Sequence, residues 1–157
     1  MNRRTFFATS AIAGLSAAMA GRAAWAAAPF EVTRSKAEWK AMLSDLQYKV
    51  MRQEGTERAG SSPLDKNYAK GTYHCRGCDL AVYSSAAKYD SGTGWPSFYQ
   101  SLPKAVETKT DYKLIYPRTE VHCRRCGSHF GHIFDDGPKP TGKRHCLNGV
   151  SLVFKAA

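Results

Sequence analysis

The sequence predicts a mainly β protein, with one or two antiparallel sheets and one or two helices at the N-terminal end of the folded region. Three observations carry that expectation. After Gly71 the apolar residues fall in short β-rich runs broken by Gly and Pro, with no sustained helical period. Helical spacing is confined to residues 33–54. Two Cys-x-x-Cys pairs, Cys75 with Cys78 and Cys123 with Cys126, lie within the β-rich part, so the class is completed by a four-cysteine zinc site joining two hairpins. The length of 157 residues suits one domain, and a hydrophobic share of 43% with 11% aromatics excludes wholesale disorder.

Residues 1–28 read as an address rather than as part of the fold. A basic start with Arg3 and Arg4 leads into a weakly hydrophobic run and then small residues around Ala24 and Ala26. The arginine pair followed by Phe6 resembles a twin-arginine export signal, with a general secretory signal as the alternative. Removing this segment takes away three arginines and no acid, lowering the net charge from +10 to +7. Residues 29–157 then form a single domain, expected to be periplasmic and monomeric. No stretch reaches the ~20 apolar residues of a membrane span.

Within 33–54, Trp39, Met42, Leu43 and Leu46 follow the spacing of an amphipathic helix. Ser35 and Glu38 suit its capping box, and a break is expected near Ser44 and Asp45. Residues 55–70 turn to Gly, Ser, Pro, Asp and Asn, a surface loop. Strands are expected at 72–74, 80–83, 105–108, 112–116, 120–122 and 150–154.

A Cys-x-x-Cys turn aims two sulfurs at one point, and two such turns supply four thiolates for a tetrahedral ion. Redox disulfides are the competing reading in an oxidising compartment, although four thiolates capped before export would be protected. Cys146 is left over, between Arg144 and His145, cationic neighbours that lower a thiol pKa. His129 and His132 are suited to handing over a proton near neutral pH, while a buried structural Cys and hydrogen-bonded histidines remain the bland alternatives.

The ordered set Gly94-Trp95-Pro96-Ser97-Phe98, both cysteine pairs, residues 127–134, Asp136-Gly137-Pro138, Pro140-Thr141-Gly142 and residues 144–148 resembles the B-type peptide methionine sulfoxide reductases. The resemblance runs from about residue 36 to 154. It implies two antiparallel sheets with structural zinc on Cys75, Cys78, Cys123 and Cys126, away from catalysis. It further implies Cys146 as the nucleophile, His129, His132 and Asn148 as the groups that hold and protonate the sulfoxide oxygen, and Trp95, Arg144 and Phe134 as substrate-binding residues. The implied substrate is the R epimer of methionine sulfoxide in oxidised protein or peptide.

Many members of that family carry a resolving cysteine just before Gly-Trp-Pro-Ser-Phe, where this chain has Thr93. The expected reductant is therefore an external one, a thioredoxin-like domain or a small thiol. Two other classes compete: a non-catalytic zinc module whose basic surface binds nucleic acid or anionic lipid, and a disulfide exchanger using a cysteine pair. Neither gives Trp95, the two histidines and Cys146 a task together. No nucleic acid partner and no stable membrane insertion after processing are expected.

Overall fold

A computed structural model describes residues 30–157, so the signal-like segment 1–28 lies outside the described residues. Among the described residues two short helices come first, α1 (Lys36–Met42) and α2 (Asp45–Gln53). Each begins at a serine with a complete capping box. Ser35 Oγ accepts from the Glu38 N–H and the Glu38 carboxylate accepts from the Ser35 N–H, and Ser44 with Gln47 repeats the arrangement. The second box begins a new helix where the sequence suggested a break, and extended Leu43 ends the first.

That break alters the expected apolar face. Trp39 and Leu43 are buried, but Met42 and Leu46 are nearly half exposed, because α2 starts on a new axis and buries Val50 and Met51 instead. No described helix is long and apolar enough to cross a membrane.

Nine strands follow: β1 (Gly71–Cys75), β2 (Ala81–Ser84), β3 (Lys88–Tyr89), β4 (Ser97–Phe98), β5 (Val106–Asp111), β6 (Arg118–Cys123), β7 (His129–Phe134), β8 (Arg144–Leu147) and β9 (Leu152–Ala156). They form a three-stranded sheet in the order β2-β1-β9 and a six-stranded sheet in the order β3-β4-β8-β7-β6-β5, with every pairing antiparallel. The expected strand at 112–116 is instead the exposed tip of the β5–β6 hairpin. Asp111 Oδ1 accepts from the Lys113 N–H, at 2.8 Å, and this side-chain bond turns the chain before its apolar residues can pair. Conversely, β7 and β8 are strands whose His, Arg and Gly content hid their periodicity.

The core lies between the sheets. Phe98 of the larger sheet packs edge-on against Tyr73 of the smaller at a 5.0 Å ring separation, and against Tyr83 at 4.7 Å. The helices cover one end of this sandwich. Trp39 is held between the guanidinium groups of Arg34 and Arg52, and those arginines donate to the carbonyls of Gly77 and Cys126. Gly77 has no room for a side chain, since a Cβ there would stand 3.2 Å from the indole and 2.8 Å from Ser128 Oγ.

Phe98 is fully buried where the two sheets meet. Phe98→Ala is expected to cost about 3–5 kcal/mol, read as a lower urea midpoint at an unchanged denaturant slope.

Candidate active site and metal centre

The four paired cysteines converge as the spacing suggested. Cys75 ends β1 and Cys123 ends β6, so each sheet contributes one Cys-x-x-Cys turn. In the first turn the Cys75 carbonyl accepts from the Asp79 N–H, and in the second the Cys123 carbonyl accepts from the Gly127 N–H, both at 2.8 Å. Asp79 and Gly127, the residues after each second cysteine, both adopt the left-handed conformation. At Gly127 any side chain would strike Phe30.

All four sulfurs lie within 4.8 Å of one another, with Cys75–Cys126 at 3.6 Å and Cys78–Cys123 at 3.5 Å. A zinc–sulfur length of about 2.3 Å implies sulfur separations of about 3.8 Å around a tetrahedron. Four thiolates that close repel one another strongly unless a cation sits among them. The donor set and its spacing fit one closed, four-coordinate metal ion. Neither short sulfur approach is within a Cys-x-x-Cys pair, which is not the arrangement of two redox disulfides.

The other cysteine stands on β8, where alternation sends Arg144 and Cys146 to one face and His145 and Leu147 to the other. His145 therefore turns into the core and bonds Tyr83 Oη through Nδ1 at 3.0 Å. Burial pushes its pKa down to about 4. The expectation that His145 supplies positive charge to the thiol is thus corrected, because the strand's alternation places it on the wrong face. Arg144 does lie on the thiol's side. Burial nonetheless dominates and raises the Cys146 pKa above its ordinary value, against the opposing pull of Thr93, Arg144 and Ser97.

On the neighbouring strand β7, His132 is the direct cross-strand partner of Cys146, and Phe134 that of Arg144. His129 and His132 are three residues apart, which in a regular strand would put them on opposite faces. The β6–β7 register shifts between Val121 and His122, and the extra residue brings both rings to one side, 5.5 Å apart. Gly131 makes the close packing possible, since a Cβ there would meet the Cys146 carbonyl oxygen at 2.0 Å.

Carboxylates that sequence reasoning missed set the orientation of both rings. His132 Nε2 bonds Asp111 at 2.8 Å, and Asp111 also accepts from Arg118 at 2.6 Å. The Lys113 N–H, His132 and Arg118 hold Asp111 well below the usual carboxylate range. An ionised Asp111 can only accept, so His132 Nε2 carries the proton and Nδ1 is left for chemistry. Burial pushes the His132 pKa down, against the pull of Asp111. His129 Nδ1 bonds Glu120, which also binds His122, each at 2.7 Å. Burial would raise Glu120, but the two histidines outweigh it and bring the carboxyl down to about 2. His129 Nε2 is then a buried ring nitrogen without a partner among the described residues.

Cys146 lines a cavity of about 150 Å³, together with Thr56, Trp95, Arg118, Gly131, His132, Phe134, Leu147 and Asn148. Arg144 stays at the edge, paired in a fork with Asp136 and stacked over the Phe134 ring at 4.4 Å. A thiol, a histidine, an indole and a phenyl ring thus meet in one pocket.

Residues 43–156 match the SelR domain. The chain is 52% identical to a peptide methionine sulfoxide reductase MsrB of Methanosarcina barkeri over 125 residues, which is 79% of this chain and 88% of that one. It is 48% identical to a protein of the same name from Leptospira interrogans, covering 80% and 97%. A third, from Thiobacillus denitrificans, is 49% identical over 77% and 92%. The chain belongs to the SelR family of B-type peptide methionine sulfoxide reductases.

In this reductase the position before Gly-Trp-Pro-Ser-Phe stands beside the lone thiol. Thr93 Oγ1 lies 3.8 Å from Cys146 Sγ and continues through Ser91 to Ser97, a chain of hydroxyls instead of a second sulfur. Asn148 is already engaged: Oδ1 accepts from the Glu57 N–H at 2.9 Å and Nδ2 donates to the Phe130 carbonyl at 2.9 Å. Trp95 Nε1 donates to the Glu57 carbonyl at 3.1 Å. Glu57 itself is buried, its carboxylate accepting from the Gly149 and Val150 N–H groups. This one residue therefore braces both the indole wall and the turn after the thiol. A single Glu in a polar loop left no signal in the sequence. Glu120 and His122, two apart on a strand, did share a face that alternation could have revealed.

Alkylation of the metal-loaded reductase by iodoacetamide is expected at one site per chain, Cys146, with a rate still rising above pH 9. Arg144→Leu removes one of the groups that lower the thiol pKa. It is expected to shift that rate profile to still higher pH, and an unshifted profile would show that Arg144 does not reach the thiol.

Proposed function

We propose that the chain reduces the R epimer of methionine sulfoxide in oxidised proteins or peptides, with Cys146 as nucleophile. The observation that carries this reading is the pairing of Cys146 with His132 at the floor of a cavity walled by Trp95 and Phe134. Trp95 and Phe134 offer flat apolar area to the substrate's methyl and methylene groups. The sulfoxide oxygen is then directed to His132 Nδ1, which donates to it once it has taken the proton of the Cys146 thiol. Asn148 keeps the turn after the thiol in place.

The proton inventory closes within the site. Burial outweighs Arg144 at the thiol and Asp111 at the imidazole, so Cys146 rests as a thiol and His132 as a neutral ring. The proton that Cys146 gives up on attacking the sulfoxide sulfur passes through His132 Nδ1 to the sulfoxide oxygen. The S–O bond then breaks as hydroxyl moves to the cysteine sulfur, releasing methionine and leaving Cys146 as a sulfenic acid. Methionine sulfur gains two electrons and the cysteine loses them.

An external thiol, thioredoxin-like or small, attacks the sulfenic acid to give a mixed disulfide and water. A second thiol restores Cys146. This reading is supported by Thr93 in place of a resolving cysteine and by the commitment of the other four sulfurs to one cluster. Zinc is the ion proposed for that cluster, where its task is to hold two turns together rather than to act on substrate. The N-terminal segment 1–28 is proposed as a twin-arginine signal, leaving residues 29–157 as a periplasmic, monomeric domain that repairs oxidised proteins.

Turnover of separated R and S epimers of a methionine sulfoxide peptide with dithiothreitol tests the reaction. Loss of the R epimer alone, abolished by Cys146→Ser, is the expected result; consumption of neither by folded, metal-loaded protein would overturn it. For the metal, elemental analysis is expected to give one zinc per chain. Cys123→Ser is expected to lose the ion together with much of the thermal stability, since breaking a structural site removes the binding energy coupled to folding.

A further inference from the structure

The β5–β6 hairpin ends in a feature that neither folding nor the proposed chemistry uses. Its tip, Tyr112-Lys113-Leu114-Ile115-Tyr116, turns four large apolar side chains to solvent: Tyr112 is 76% exposed, Leu114 48%, Ile115 106% and Tyr116 60%. Exposing this much adjacent apolar surface is unfavourable unless something covers it. The tip is also held in place. Asp111 bonds the Lys113 N–H, and Lys113 Nζ reaches the Gln53 carbonyl and the Glu54 carboxylate at the end of α2.

Its position relative to the cavity follows from the residues on either side. Asp111 and Arg118 are the last cross-strand pair before the tip. Asp111 is bonded to His132, and Arg118 lines the cavity. The Lys113 anchor lies on Gln53 and Glu54, two to three residues before Thr56, which also lines it. Six residues bridge the pair, so the tip extends no more than about 10 Å beyond it at ~3.3 Å per residue. That is the reach of two to four residues of an extended peptide.

We propose that this hairpin tip is a docking lip for the polypeptide substrate, binding apolar side chains two to four positions from the methionine sulfoxide in an unfolded segment. The proposal rests on the function above and narrows its substrate class: oxidised methionine within exposed hydrophobic sequence, in preference to a glycine-flanked site. A folded protein buries such flanking residues, whereas an unfolded chain presents them together with the sulfoxide. Leu114, Ile115 and Tyr116 contact the flanking residues only and take no part in sulfur chemistry.

The test compares two R-sulfoxide peptides, one with leucine and valine at positions two to four on both sides of the sulfoxide and one with glycine and serine there. The enzymes are the full protein and its Leu114→Ser/Ile115→Ser variant. The wild type is expected to favour the apolar peptide about tenfold in kcat/KM, mainly through KM, because covering two such side chains contributes on that scale. The variant is expected to lose that preference while its turnover of the glycine peptide stays within twofold. Equal use of both peptides by the wild type, or an equal loss on both in the variant, would overturn the lip. Wild-type flotation with phosphatidylglycerol vesicles, lost in the variant without change in peptide preference, would assign the tip to a membrane instead and overturn it too. Turnover of the glycine peptide certifies the reaction itself, and its absence in the wild type would overturn the reaction and the lip together.

Discussion

Four sulfurs drawn within 4.8 Å of one another constrain everything else in this molecule. They come from the ends of β1 and β6, strands of different sheets, so the cluster sets how the two sheets lie against each other. The helices depend on it as well. Arg34 and Arg52 reach the carbonyls of Gly77 and Cys126, inside the two cysteine turns, and clasp Trp39 between them. With α2 fixed there, residues 53–57 are delivered to the far side, where Thr56 meets the cavity and Glu57 braces Trp95 and Asn148. A metal-binding geometry at one end thus determines where a wall of the pocket stands at the other.

The site itself is an exercise in placing neutral partners side by side. Burial raises the Cys146 thiol and lowers His132, so neither is charged in the resting state. The charges are held one step back, on Asp111 with Arg118 and on Glu120 with its two histidines, where they fix ring orientation without touching the sulfur. This separation depends on backbone details. The bulge in β7 puts His129 and His132 on one side, and the bare Gly131 allows β8 to approach closely enough for Cys146 to stand opposite His132.

Much of this was legible in the sequence, and what was not has identifiable causes. The cysteine turns and the break at Ser44 follow from spacing, while the division into two sheets and the grouping of Trp95, His132, Phe134, Cys146 and Asn148 follow from motif resemblance; His129 was grouped with them but does not line the cavity. The strands β7 and β8 were hidden because His, Arg, Gly and Cys stand where β-branched residues usually mark a strand. The run at 112–116 has strand composition, yet the Asp111 side chain turns the chain there, and composition does not report a side-chain bond. His145 was misread because adjacency in sequence is not adjacency in a strand, where neighbours point apart. Asp111, Glu57 and Glu120 act through contacts 21, 91 and 9 residues away, separations that no local pattern encodes.

The burial of Cys146 has a consequence beyond the reaction proposed for it. Peroxides attack thiolates, and a thiol kept protonated inside a cavity is a poor target for them. With Thr93 beside it instead of a second sulfur, a sulfenic acid formed on Cys146 has no intramolecular disulfide to shelter it from further oxidation to the irreversible sulfinic acid. What burial protects is the resting thiol: under the mechanism proposed above, the sulfur becomes reactive when a sulfoxide and His132 together take its proton, and stays inert toward oxidants that bring no such partner.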